Sequence, residues 1–166
     1  MTDDLFKHIQ LLLLDVDGVL TDGSIIYDDR GGELKIFNVK DGLGIRLLQK
    51  AGISVGIVTG RASAALEHRC RDLGIRMIFQ GVADKAALLD DIAVESGLHS
   101  RNIAFMGDDL PDLPLLKKVG LAIAVSDAHP AVREASHHIT AAAGGAGAVR
   151  EICEAILKAR QLWSHP

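Results

Sequence analysis

Residues 11–23 read LLLLDVDGVLTDG. Four successive leucines cannot alternate between core and solvent, so they predict a strand buried on both faces, as in a parallel sheet covered by helices on each side. The run ends in Asp15 and Asp17 with one residue between them. Side chains at i and i+2 of a strand share a face, which places the two carboxylates together as the strand runs out. Two ionised carboxylates repel unless a cation or a proton intervenes. Taken alone, the stretch has two readings: a cation site, or a strand end at which Asp serves as a turn residue.

The pattern recurs outward along the chain. ISVGIVT (53–59), MIFQG (77–81), IAFMGD (103–108) and LAIAV (121–125) are short apolar runs bounded by Gly or Asp, and HHIT (137–140) suggests a short final strand. Between them, DGLGIRLLQKAG (41–52), ASAALEHRCRDLG (62–74), KAALLDDIAVESG (85–97) and PDLPLLKKVG (111–120) carry apolar stripes at helical spacing and end at or near Gly, a common C-cap. The alternation predicts an α/β fold, a Rossmann-like parallel sheet flanked by helices, spanning residues 1–166 as one domain. In such sheets ligands bind beyond the C-terminal strand ends, where the strand order reverses. One segment departs from the alternation. GSIIYDDRGGELKIFNV (23–39) has β-rich halves around a Gly-containing turn and predicts a projecting hairpin beside the aspartate pair. AAAGGAGAV (141–149) reads as a flexible loop, or as a phosphate seat at the N-terminus of the following helix, AVREICEAILKARQLW (148–163).

Composition narrows the function. The 166 residues carry a formal charge of −4 and 4% aromatics, unlike the basic, aromatic-rich surface of a nucleic-acid binder. No apolar run reaches the ~20 residues of a membrane span. MTDDLFKHIQ has no basic region ahead of an apolar stretch, so the expectation is a cytoplasmic protein without a secretory signal. Cys70 and Cys153 are far apart within helical patterns and read as core thiols.

The other strand ends weigh on the reading of the aspartates. The second strand offers the Thr59 hydroxyl and the Gly60 backbone; the fourth offers Asp108, Asp109 and Asp112; Lys85 opens the helix after GVAD. Carboxylates, a hydroxyl and a lysine at one sheet edge suit phosphoryl transfer, whose transition state spreads negative charge over the equatorial oxygens. One carboxylate can attack phosphorus while its neighbour shuttles the proton, and hard oxygen ligands suit Mg²⁺. A phospho-accepting receiver domain, a binding module, shares the acceptor Asp, Thr, Lys and metal site, but does not need a carboxylate two residues past the acceptor. His129, in DAHP, reads as ending a strand, while His68 and Lys117–Lys118 read as surface.

These residues resemble the haloacid dehalogenase superfamily of phosphohydrolases. Asp15, Val16, Asp17 and Gly18 match its first motif, Thr59 the second, Lys85 the third and GDDLPD (107–112) the fourth. The resemblance implies Asp15 as nucleophile and Asp17 as acid/base. It implies Mg²⁺ on the Asp15 side chain, the Asp17 backbone carbonyl and Asp108, and a phosphoryl group held by Thr59 and Lys85. Asp109 and Asp112 would support the metal site without ligating it. Over nearly the whole chain, GELKIFNVKDGLGIRLL (32–48), IVTGR, FQGVADK, VSDAHP (125–130) and GAVREIC (147–153) resemble the 3-deoxy-D-manno-octulosonate 8-phosphate phosphatase family. Relatives acting on a nine-carbon keto-acid phosphate usually carry Glu at the position of Arg61, so Arg61 favours the eight-carbon sugar-acid phosphate, whose carboxylate it could meet in bidentate fashion. The chain departs from the family at Ala146, where Arg is common. No stretch is long enough for an inserted cap domain, so a neighbouring subunit is expected to wall the site. The resemblance implies a homotetramer built through the hairpins; a hairpin left exposed on a monomer is the other reading. The tail RQLWSHP (160–166) is expected to fray or to pack on a neighbour.

Overall fold

The structure is a computed structural model that describes residues 2–163. Helix α1 (Thr2–Lys7) precedes strand β1 (Leu11–Leu14). A small hairpin, β2 (Ile26–Tyr27) and β3 (Glu33–Leu34), then leads into α2 (Val39–Lys50). The remaining elements alternate: β4 (Ser54–Val58), α3 (Ala64–Leu73), β5 (Met77–Phe79), α4 (Leu88–Ser96), β6 (Ile103–Gly107), α5 (Leu113–Leu116), β7 (Leu121–Ala124), α6 (Pro130–Ala135), β8 (His138–Ile139) and α7 (Ala148–Ala159).

The main sheet has the order β5-β4-β1-β6-β7-β8, and every pairing is parallel. Strand β1 is central: Leu14 lies opposite Ile57 on one side and Met106 on the other. Its four leucines are fully buried, each contributing about 1.5–3 kcal/mol relative to exposure. From β1 the chain builds outward to β4 and β5, then crosses to β6 and builds the other way. The reversal between β1 and β6 leaves a crevice beyond their C-terminal ends.

Helices α2 and α7 pack closely on one face. Gly44 makes this approach possible, since a Cβ there would stand 3.1 Å from the Arg150 Cα. Cys70 and Cys153 are buried free thiols. Among the described residues no helix is long and apolar enough to cross a membrane.

Several expected elements differ in extent. The hairpin pairs only two residues per strand, closed where the Asp28 N–H donates to the Gly32 carbonyl and the Asp28 carboxylate accepts from the Arg30 and Gly32 N–H groups. The helix read in PDLPLLKKVG begins as a 3-10 turn, Leu110–Asp112, and α5 adds one turn. Helix α7 stops at Ala159, and Gln161 takes a left-handed φ of 58°. Trp163 packs back on its own chain, its ring 5.6 Å from the Arg150 guanidinium and 5.3 Å from the Lys158 ammonium. Residues 164–166 of the tail lie outside the described residues. Helices α1 and α6 had no clear sequence pattern; α6 starts where the His129 ring accepts from the Ala131 N–H ahead of Pro130.

Candidate active site

The crevice between β1 and β6 holds the acidic residues. Asp15 extends the β1–β6 pairing by one residue, its N–H donating to the Met106 carbonyl at 3.0 Å. Its carboxylate is buried and lies 2.9 Å from Lys85 Nζ. Lys85 is also buried, opening the 3-10 turn Lys85–Ala87 that Asp84 caps. Its ammonium makes a second contact, 2.7 Å to Asp112 Oδ1. The other oxygen of Asp112 accepts from the Asp108 N–H at 2.9 Å and the Asp109 N–H at 3.3 Å. Oxygens of Asp15, Asp108 and Asp112 all lie within 4.8 Å of one another.

Three carboxylates around one ammonium leave the cluster negative and partly desolvated. Burial, and then the charge of Asp112, push the Asp15 carboxyl up to about 6 against the pull of Lys85. Burial, with Asp15 and Asp112 adding to it, pushes Asp108 up to about 8. Burial opposes the charged form of Lys85, yet Asp15 and Asp112 hold the ammonium above its ordinary value. Such a set fits a hard divalent cation, which neutralises the excess charge through oxygen ligands alone. Gly18 makes room beside it: its φ is 88°, and a Cβ there would stand 2.1 Å from Asp108 Oδ2.

Asp17 reaches the same cavity by another route. Strand β1 ends at Leu14, so both aspartates lie beyond it, and strand alternation does not align them. Instead the Val16 carbonyl accepts from the N–H groups of Val19, Leu20 and Thr21, winding a tight turn that presents Asp17. The cavity, about 350 Å³, is lined by Asp15, Asp17, Thr59, Gly60, Arg61, Lys85, Asp108, Asp109 and Asp112 among others. Every expected site residue thus meets there. Thr59 is fixed through its backbone, its N–H donating to Phe79 and its carbonyl accepting from Val82.

The two acids expected to support the metal site are placed differently from each other. Asp109 is exposed, and its carboxylate caps the Leu110–Asp112 turn, accepting from the Leu110 N–H at 2.8 Å. Asp112 instead lies inside the cation-competent trio. Arg61 is engaged by the chain's own groups: Nη2 lies 2.7 Å from Glu33 Oε1 and 3.2 Å from the Tyr27 hydroxyl, and Nε 3.6 Å from Asp17 Oδ2. Sequence reasoning missed Lys35, whose ammonium donates to Asp17 Oδ1 and lies 3.4 Å from Glu33 Oε1. The signal was present in ELKIF. Glu33, Lys35 and Phe37 point inward, whereas Leu34 and Ile36 face out at 59% and 71% exposure.

The glycine-rich loop is not loose. The Gly144 N–H donates to Asp127 Oδ1 at 3.0 Å, the Gly145 N–H to the Val19 carbonyl at 2.9 Å, and the Asn38 side chain donates to the Gly145 carbonyl at 3.1 Å. Nor does the N-terminus of α7 stand ready for phosphate, because the buried Asp41 carboxylate accepts from the Arg150 N–H there at 2.8 Å. His137 Nδ1 accepts from the Ala122 N–H, His138 lies in β8 and His68 is exposed, so all three lie outside the cavity. His129 joins the site only through its backbone, its N–H donating to the Asp108 carbonyl.

Known proteins resemble this chain along nearly its whole length. Residues 74–152 match the model of the haloacid dehalogenase-like hydrolases. The chain is 46% identical over 154 residues to the 3-deoxy-D-manno-octulosonate 8-phosphate phosphatase KdsC of Escherichia coli strain K12, covering 93% of this chain and 82% of that one. With the Yersinia pestis KdsC it shares 44% identity over 163 residues, 96% and 87% of the two chains. The crystal structure of the Yersinia pestis phosphatase superposes with a TM-score of 0.95 at 43% identity, over 97% of this chain and 87% of that chain. The Moraxella catarrhalis phosphatase, solved with magnesium ion, phosphate ion and a KDO molecule, superposes at 0.94 with 44% identity, over 96% and 92%. With the aspartates, lysine and threonine of all four motifs gathered at one sheet edge, the chain belongs to the haloacid dehalogenase-like hydrolases, in the 3-deoxy-D-manno-octulosonate 8-phosphate phosphatase family.

Proposed function

We propose that this protein, acting as a single domain, is an Mg²⁺-dependent phosphatase of 3-deoxy-D-manno-octulosonate 8-phosphate, serving lipopolysaccharide synthesis in the cytoplasm. The observation that carries this reading is the meeting of Asp15, Asp108 and Asp112 around buried Lys85 at the β1–β6 switch. Asp15, the Asp17 carbonyl and Asp108 would hold Mg²⁺, which supplies charge neutralisation for the incoming phosphate dianion. An Asp15 oxygen forms the bond to phosphorus as the bond to the sugar oxygen breaks, and Asp17 gives that oxygen its proton. Water then attacks the aspartyl-phosphate and returns a proton to Asp17; the Asp15–phosphorus bond breaks and inorganic phosphate leaves. Lys85, the Thr59 hydroxyl and the Gly60 backbone stabilise the equatorial oxygens. Arg61, at the cavity mouth, meets the sugar-acid end.

The outward face of the hairpin supports assembly. Ile25, Tyr27, Leu34 and Ile36 are all more than half exposed, and Val39 follows at 79%. Such a patch favours burial against another surface, and a homotetramer joined through the hairpins would also wall the open cavity. The decisive experiment is phosphate release across sugar phosphates, including the eight- and nine-carbon keto-acid phosphates. The eight-carbon acid should be preferred, with activity silenced by EDTA and restored by Mg²⁺. Absence of release from every phosphate tested, with Mg²⁺ present, would end the reading. Light scattering tests the assembly; Ile36→Glu should give a smaller species, and a wild-type monomer would refute it.

A further inference from the structure

The carboxylates of the cavity are not held alike. Asp112 accepts from two backbone N–H groups, and both Asp15 and Asp112 share buried Lys85. Asp17 sits in a turn beyond β1, its side chain one-fifth exposed. Among the described residues, the hydrogen bond found on its carboxylate comes from Lys35, eighteen positions away on the hairpin. The Lys35 side chain is 2% exposed, so its ammonium is withdrawn from water and committed to Asp17 and Glu33. Arg61 flanks the other Asp17 oxygen at 3.6 Å and is itself tied to Glu33 and Tyr27.

We infer that Lys35 is a positioning residue for the reaction, fixing the Asp17 carboxylate where the leaving oxygen and the attacking water pass, so that the hairpin completes the catalytic site of its own chain. This rests on the aspartyl-phosphate reading above. A carboxylate that must serve first as acid and then as base needs one fixed placement for both steps, and misplacement by about 1 Å can cost on the order of 100-fold. The turn Val16–Thr21 fixes the Asp17 backbone, not its side-chain torsions; Lys35 supplies that constraint.

The test replaces Lys35 in the full-length, Mg²⁺-loaded enzyme. Lys35→Met should lower kcat for the sugar-acid phosphate by about 100-fold while KM moves less than about three-fold, and Lys35→Arg should restore most of the loss. p-Nitrophenyl phosphate separates positioning from general damage, because its phenolate leaves without a proton. Lys35→Met should release a rapid burst of about one nitrophenolate per subunit, followed by slow turnover as water attack lacks a placed base. Thermal unfolding is measured alongside. If Lys35→Met does not fold, Lys35→Gln takes its place with the same expectations. A kcat within two-fold of wild type, or a vanished burst in a folded variant, would overturn the role of Lys35. Wild-type enzyme inert toward every phosphate would instead overturn the underlying phosphatase reading.

Discussion

The two halves of the cavity are built by different means. On the β1–β6 side, Asp15 and Asp108 directly follow strand ends, Asp112 closes the 3-10 turn after β6, and the three are cross-linked by backbone N–H groups and a buried lysine. On the hairpin side, Asp17, Glu33, Lys35 and Arg61 meet through side chains alone, over a hairpin with two residues in each strand. The first half gains rigidity from the core beneath it. The second gains it from ion pairs gathered on Lys35, whose side chain is 2% exposed, with Arg61 at 39% on the solvent side. The chemistry divides the same way: bond-making to phosphorus is assigned to the half built on the sheet, proton movement and substrate contact to the half built on the hairpin.

The comparison can be broken most severely at Asp15. Asp15→Asn removes the attacking oxygen's charge, and kcat should fall by about 10⁴-fold or more in a phosphate-release assay; a rate near wild type would reassign the nucleophile. Next comes Asp112→Asn, which weakens the anchor of Lys85 and of the Asp108 backbone. It should raise the Mg²⁺ concentration needed for half-maximal activity by about 10–100-fold. An unchanged Mg²⁺ titration would mean that the trio does not act as one unit.

A third test uses pH and metal removal together. Asp15 and Asp108 are raised from 3.8 to about 6 and about 8 in the metal-free fold. The folded state therefore binds more protons than the unfolded chain between about pH 4 and 8, and the contribution of these two groups to stability falls as pH rises through that window. Mg²⁺ displaces those protons on binding, so the rise in Tm that it produces should be larger at pH 8 than at pH 5, as read by differential scanning calorimetry. An equal rise at both values would show that the cation sits elsewhere. The smallest effect belongs to Glu33→Gln on the hairpin side, which keeps an acceptor for Arg61 but loses the charge. Steady-state constants should shift less than about five-fold, in contrast to Lys35, and a loss as large as that of Lys35→Met would make the whole clamp, not one residue, the positioning device.

Much of this site was legible because parallel sheets gather chemistry at strand ends. Asp15, Thr59, Lys85 and Asp108 follow or closely trail apolar runs, so finding the runs located the residues. The separate roles of Asp109 and Asp112 were not legible, because a single 3-10 turn sends one carboxylate to cap and the other inward. The glycine-rich loop misled for a similar reason. Its composition suggests freedom, but Asp41, 109 positions before Arg150, occupies the helix end that phosphate would need.

By itself the sequence determined the parallel sheet, the order of its elements and the acidic edge, since burial of continuous apolar runs and turn chemistry are local properties of neighbouring residues. Tertiary structure decided that Lys35 turns inward to Asp17 while Leu34 and Ile36 face out, and that Asp112 joins Asp15 across a lysine. Those contacts join residues 18 to 97 positions apart, and their geometry exists only after the hairpin folds back and β1 pairs with β6.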